Sequence, residues 1–174
     1  MNGTRLILSF AALALLSTSG AGAGDVTDRM WFGGGLGAGF GDVDFVTLEP
    51  VVGLDATDKL SVGLGLIYRY SDDKRFDPDL STNDYGANLF ARYAISPSFF
   101  GQVEYEYLNY EFRRFDGSKG RDQFDSLRAG PGYWQSLGER TSLYALALYN
   151  FNYDDDNSPY DDPWVYRVGV AVGF

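Results

Sequence analysis

Apolar residues recur at every second position along most of the chain. That period puts alternate side chains on opposite faces of an extended strand, and helical periodicity is almost absent after Met30. The first segment, Met30 to Gly41, sets Met30, Phe32, Leu36, Ala38 and Phe40 against Gly33, Gly35, Gly37, Gly39 and Gly41. The second, Phe45 to Leu54, sets Val46, Leu48, Val52 and Leu54 against Thr47, Glu49 and Gly53. In the third, Leu60 to Tyr70, Leu60, Val62, Leu64, Leu66, Tyr68 and Tyr70 oppose Ser61, Gly63, Gly65, Ile67 and Arg69. The fourth, Tyr85 to Ala94, opposes Tyr85, Ala87, Leu89, Ala91 and Tyr93 to Gly86, Asn88, Phe90 and Arg92.

The second half of the chain continues the pattern. Val103, Tyr105 and Tyr107 face away from Gln102, Glu104 and Glu106, and Leu127, Ala129 and Tyr133 from Ser126, Arg128, Gly130 and Gly132. The seventh segment, Ser142 to Tyr153, is ambiguous, because Tyr149, Phe151 and Tyr153 as the apolar face leave Leu146 and Leu148 with Asn150 and Asn152. The last places Trp164, Tyr166, Val168, Val170, Val172 and Phe174 opposite Arg167, Gly169, Ala171 and Gly173. Eight strands in succession predict an all-β, antiparallel up-and-down barrel. Pro50 and Pro131 fall inside strands, where each removes a ladder hydrogen bond, so a bulge or shifted register is expected at both.

The connections alternate in length. Tight turns such as Asp55 to Lys59 and Ser96 to Ser98 mark one end, and longer polar segments, Ser71 to Asp84, Arg113 to Gln123 and Asp154 to Pro163, mark the other. Such asymmetry is expected of an outer-membrane barrel with short periplasmic turns and long extracellular loops. The polar face carries Glu49, Arg69, Arg92, Glu104, Glu106, Arg128 and Arg167, interleaved with glycine. Turned inward, the glycines of one wall make room for long charged side chains from the opposite wall of a narrow lumen, and these seven residues form an ion-pair network. Aromatic residues gather near both strand ends, with Leu, Val and Ala between them, as two bilayer interfaces favour.

The N-terminus reads as a secretion signal over residues 1–23, with Arg5, an apolar Leu6 to Leu16 and small residues at Ala21-Gly22-Ala23, leaving 24–174 as the barrel domain. Together with the eight alternating strands and a last strand ending in Phe174, this resembles the small bacterial outer-membrane β-barrels, similar in plan to outer membrane protein X and the barrel domain of outer membrane protein A. The resemblance implies that Phe174 is the signal read by the barrel assembly machinery. It also implies residence in the outer membrane among lipid and lipopolysaccharide.

Composition narrows the chemistry. The 174 residues contain no histidine and no cysteine, which removes the usual general base, the commonest metal ligand and any disulfide. With 24 acidic and 14 basic side chains, the formal charge of −10 argues against nucleic acid as a partner. Gly33-Gly34-Gly35-Leu36-Gly37-Ala38 has the spacing of a dinucleotide-binding loop but lacks the strand-turn-helix context, and its glycines follow the strand period. Asp154, Asp155, Asp156, Asp161 and Asp162 offer oxygen ligands for a cation without the glycine and glutamate positions of an EF-hand, so a solvated acidic loop is the simpler reading. Arg113, Arg114, Lys119 and Arg121 form the one basic loop, able to meet lipopolysaccharide phosphates or the acidic loop.

These features predict a monomeric, non-enzymatic outer-membrane barrel without cofactor, working through surface loops in envelope integrity or surface interaction. Two alternatives stand beside it: a narrow ion-conducting channel through the charged lumen, and a soluble ligand-binding barrel with its apolar faces turned inward.

Overall fold

The computed structural model describes residues 26–39, 43–74, 80–113, 118–154, 158–160 and 162–173. Residues 1–23, Phe40, Asp155, Asp156, Asp161 and Phe174 lie outside them. Eight strands follow in order: β1 (Met30–Gly39), β2 (Val43–Asp55), β3 (Leu60–Asp73), β4 (Leu80–Ala94), β5 (Phe99–Arg113), β6 (Lys119–Ser136), β7 (Thr141–Asn150) and β8 (Trp164–Gly173). Each pairs antiparallel with the next, and β1 closes on β8 through the register Trp31↔Gly173 to Leu36↔Val168. Closure satisfies the backbone groups that an open sheet would leave at its edges.

The alternation read from the sequence fixes which face is which. Leu36, Val46, Leu48, Leu66, Leu89, Val103, Leu127 and Val168 stand on the outer surface, while the charged set is buried within. This is the reverse of what a soluble barrel with an apolar cavity requires.

Inside, glycines serve a more local purpose than clearing space for the opposite wall. Trp31, Phe90, Phe100 and Tyr144 are each in register with a glycine on the adjacent strand: Gly53, Gly63, Gly132 and Gly169. A Cβ at any of these glycines would lie 2.1–2.4 Å from the paired ring. The rings therefore lie flat across neighbouring backbone. The opposite-wall expectation gives way here because a side chain leaning along the sheet meets its paired residue first.

Three further expectations are corrected. At Pro50 and Pro131 there is no bulge and no shift of register. Pro50 stays paired with Gly34, while on the β3 side Leu48↔Tyr68 and Val51↔Gly65 share one offset with the two intervening positions unpaired. Pro131 behaves alike, paired with Gly101 in β5 and skipped between Ala129↔Tyr149 and Gly132↔Leu146 on the β7 side. Each proline thus loses one ladder and keeps the other. Strand β7 ends at Asn150 instead of Tyr153, with Phe151 and Asn152 in a turn, and Leu146 and Leu148 point into the lumen, packed with Phe100 and Tyr144.

The strands are unequal in a systematic way. β1, β7 and β8 have 10 residues each, whereas β3, β4, β5 and β6 have 14, 15, 15 and 18. The surplus accrues at the long-loop end. There β4 and β5 pair only as far as Tyr85↔Asn109, while β3–β4 pairing continues to Asp73↔Leu80 and β5–β6 pairing to Arg113↔Lys119. The β5–β6 hairpin thus rises apart from the β3–β4 hairpin, which stays joined to β2 as far as Val43↔Asp73.

Beside the Pro131 interruption, β6 and β7 approach so closely that a Cβ on Gly130 would lie 1.9 Å from the Ala147 carbonyl oxygen. Gly130→Ala is expected to lower stability by about 1–3 kcal/mol by forcing the strands apart, read as a fall in the urea midpoint in detergent micelles. Gly138→Ala, whose Cβ meets nothing within 4 Å, is the control. Equal midpoints for the two variants would contradict the close approach.

Candidate functional site

The barrel interior holds the chemistry. All seven charged residues expected inside are buried there, and Asp84, read from sequence as the end of a loop, joins them on the extended β4. Glu49, Asp84, Glu104 and Glu106 then face Arg69, Arg92, Arg128 and Arg167, four charges of each sign. A buried guanidinium without compensation would be costly, so this balance is a condition of folding.

The charges form a connected string. Near the middle, Arg167 lies with Nε 2.8 Å from Glu49 Oε2 and Nη1 2.9 Å from Glu104 Oε2. Its Nη2 donates to Glu104 Oε1 at 3.2 Å. Glu49 Oε1 also accepts from Asn88 Nδ2 at 2.8 Å. Arg128 holds Glu106 through two parallel hydrogen bonds of 2.5 and 2.6 Å, a fork-on-carboxylate geometry, and reaches Glu104 at 3.4 Å. Gly35 and Gly65 leave the space for this layer: a Cβ on Gly35 would sit 2.9 Å from Arg167 Cδ, and one on Gly65 2.8 Å from Glu49 Oε1.

Towards the long-loop rim, Arg69 pairs with Asp84, Nη2 to Oδ2 at 2.6 Å, and Asp84 Oδ1 accepts the backbone N–H of Glu111 at 2.9 Å. Between the two layers comes a side chain that sequence periodicity does not mark. Tyr160, from the β7–β8 connection, places its ring 4.6 Å from the Arg69 guanidinium carbon and 4.7 Å from that of Arg128. Its hydroxyl donates to Glu106 Oε1 at 2.6 Å, and the preceding carbonyl, Pro159 O, accepts from Arg69 Nη1 at 3.2 Å. The loop thus enters the lumen mouth and is held by both arginines.

Towards the short turns the lining becomes aromatic. Arg92 is surrounded by the rings of Phe100, Tyr144, Trp31 and Phe90, at 4.4, 5.1, 5.4 and 5.4 Å. These are the four rings that lie across glycines. Gln102 connects the two zones: its Oε1 accepts from Arg92, and its Nε2 donates to Glu104 Oε2 at 3.0 Å.

The surface candidates look different. Lys119 and Arg121 bind Glu111 of their own hairpin, at 2.6 and 3.4 Å, and donate to the backbone carbonyls of Ser81 and Asn83. They tie the two projecting hairpins together. Arg114 lies outside the described residues. Of the acidic loop, Asp162 accepts the backbone N–H of Trp164 at 2.7 Å, and the Asp154 carbonyl accepts that of Ser158. No cluster of three or more acidic side chains able to hold a metal occurs among the described residues.

No protein-family model matches this sequence, and no curated protein does. Among solved structures, the N-terminal β-barrel domain of OprF from Pseudomonas aeruginosa matches with a TM-score of 0.52 at 15% identity, over 86% of this chain and 99% of that one. A de novo designed transmembrane β-barrel matches with a TM-score of 0.44 at 12% identity, over 84% and 96%. The chain has the fold of the OprF barrel domain, an eight-stranded antiparallel barrel closed in simple up-and-down order.

Proposed function

We propose that this protein is a non-enzymatic integral outer-membrane barrel whose lumen is a closed, charge-balanced core and whose long-loop rim makes its contacts at the cell surface. The observation that carries this reading is the inside-out distribution of side chains. Leucine, valine and aromatic residues cover the outer wall, and carboxylates and guanidinia are sealed within. Water offers no reason for that arrangement, whereas hydrocarbon requires it. Tyr68, Tyr85, Tyr149, Trp164 and Tyr166 ring the outer wall near the long-loop end, and Phe32, Tyr93, Phe99 and Tyr133 near the other, at the depths where interfaces favour aromatic side chains.

In this reading residues 1–23 direct export and Phe174 is recognised by the barrel assembly machinery. The short turns face the periplasm, the long loops face outward among lipopolysaccharide, and the barrel is a monomer. A chain without histidine lacks the side chain whose ordinary titration falls near neutral pH, which accords with work by contact.

A second reading, a narrow ion channel, draws on the line of charged and polar groups that runs from Arg92 through Gln102 and Tyr160 to Arg69. Against it stand the two closures, Tyr160 at one end and the rings around Arg92 at the other.

Residues 24–174 refolded in detergent micelles are expected to run at a different position in SDS before and after boiling, and to precipitate when detergent is withheld. A soluble monomer with no mobility change would overturn the membrane reading. In planar bilayers the folded protein is expected to show no steady conductance. Glu104→Gln, which strips a carboxylate from both Arg128 and Arg167, is expected to cost about 3–5 kcal/mol of stability. Steady conductance that Arg92→Gln or Glu104→Gln alters would instead establish the channel.

A further inference from the structure

Among the described residues, Arg92 is the one buried arginine with no carboxylate partner. Its Nε and Nη2 both donate to Gln102 Oε1, at 3.1 and 2.9 Å, so a neutral amide occupies the side edge of the guanidinium. A guanidinium has five N–H donors, four of them in two forked edges. The end edge, formed by Nη1 and the second Nη2 proton, has no acceptor among the described residues. The four surrounding rings solvate the charge through their faces but accept no hydrogen bond in the plane of the fork.

That end edge is not sealed. Arg92 borders a cavity of about 730 Å³ at the short-turn end, walled by Trp31 and Trp134, with Ser61 and Ser142 among its hydroxyls and Lys59 near its entrance. The rim carries three bases, Arg29, Lys59 and Arg140, and four acids, Asp28, Asp55, Asp58 and Glu139, a net charge of −1. Two of these are already engaged, Arg29 with the backbone carbonyls of Asp55 and Ala56, and Asp55 with the Ser61 hydroxyl at 2.6 Å. The rim therefore offers an anion no attraction of its own, and its hold rests on Arg92. The unmatched charge lies at the floor.

We propose that this cavity is a binding site for a small oxyanion, which presents two oxygens to the end edge of Arg92 while the aromatic walls exclude water around it. Planar bidentate recognition is what an arginine fork supplies and a lysine ammonium does not. Carboxylates and phosphates share the required pair of oxygens. The site goes beyond the closed-lumen reading and is independent of it, since it needs only the folded barrel.

The test uses the ¹⁵N-labelled mature chain in maltoside micelles, which carry no charged headgroup, with arginine side-chain resonances followed by NMR. Inorganic phosphate and acetate are titrated separately against chloride at constant ionic strength. The expected result is saturable movement of the Arg92 Nε and Nη signals at millimolar anion with those of Arg128 and Arg167 still, and binding severalfold weaker in Arg92→Lys. Movement with phosphate alone, acetate alone or both identifies which source the site accepts, and each supports it. Wild-type signals that stay still, move without saturation, or move equally at all arginines would overturn the proposal and leave water as the partner of the end edge. The wild-type titration decides the matter even where Arg92→Lys fails to fold.

Discussion

An eight-stranded barrel encloses a space that its own side chains must fill, and the pairing of four large inward rings with glycines on the next strand helps to make that possible. Trp31 over Gly53, Phe90 over Gly63, Phe100 over Gly132 and Tyr144 over Gly169 are one device repeated around the lumen. A ring laid across bare backbone covers the polar strand and lowers its own height at once. Because all four rings lie at one level, their faces converge on the axis, and the side chain that occupies the axis there is a cation. The aromatic layer and the position of Arg92 are thus one packing solution.

Above that layer the interior is ionic, and its charges contribute specificity more than net stability. A buried ion pair in good geometry roughly offsets its own desolvation, but one partner left alone is costly. Strand register is where this matters. A slip by one residue in β5 would carry Glu104 and Glu106 to the apolar outer face, away from their arginine partners, and bring Tyr105 and Tyr107 into the lumen. The ionic interior therefore rejects misregistered sheets more strongly than an apolar one could.

Strand identity and the inward face of most strands were legible because the period of two runs unbroken where one side is apolar and outward and the other lines a polar lumen. Legibility failed where the lumen itself is apolar. Leu146 and Leu148 obscured the face of β7, since an inward leucine against Phe100 looks, in sequence, like an outward one. It failed again where strands continue past the apolar band. From Ser81 to Asp84 both faces are polar, so nothing in the pattern marked Asp84 as the fourth interior acid. Tyr160 carried no periodic signal at all, because its place is set by two arginines distant in sequence. Pro50 and Pro131 gave a true warning with the wrong remedy: each loses a ladder on one side only, so the sheet keeps count without an extra residue.

The uneven strand lengths have a mechanical consequence. At about 3.3 Å per residue the longest wall strand exceeds its short neighbour by roughly 25 Å of chain, and all of it stands on one side of the rim. Above Tyr85 and Asn109 that wall splits into a β5–β6 ribbon and a broader ribbon of β2, β3 and β4, with no backbone ladder between them. They are linked by Lys119 and Arg121 to backbone carbonyls, and by Asp84 to the Glu111 N–H. Each ribbon is stiff along its length and twists by its own handedness, while shear between them breaks only side-chain contacts. The protein is accordingly a rigid cylinder bearing a compliant two-bladed crest.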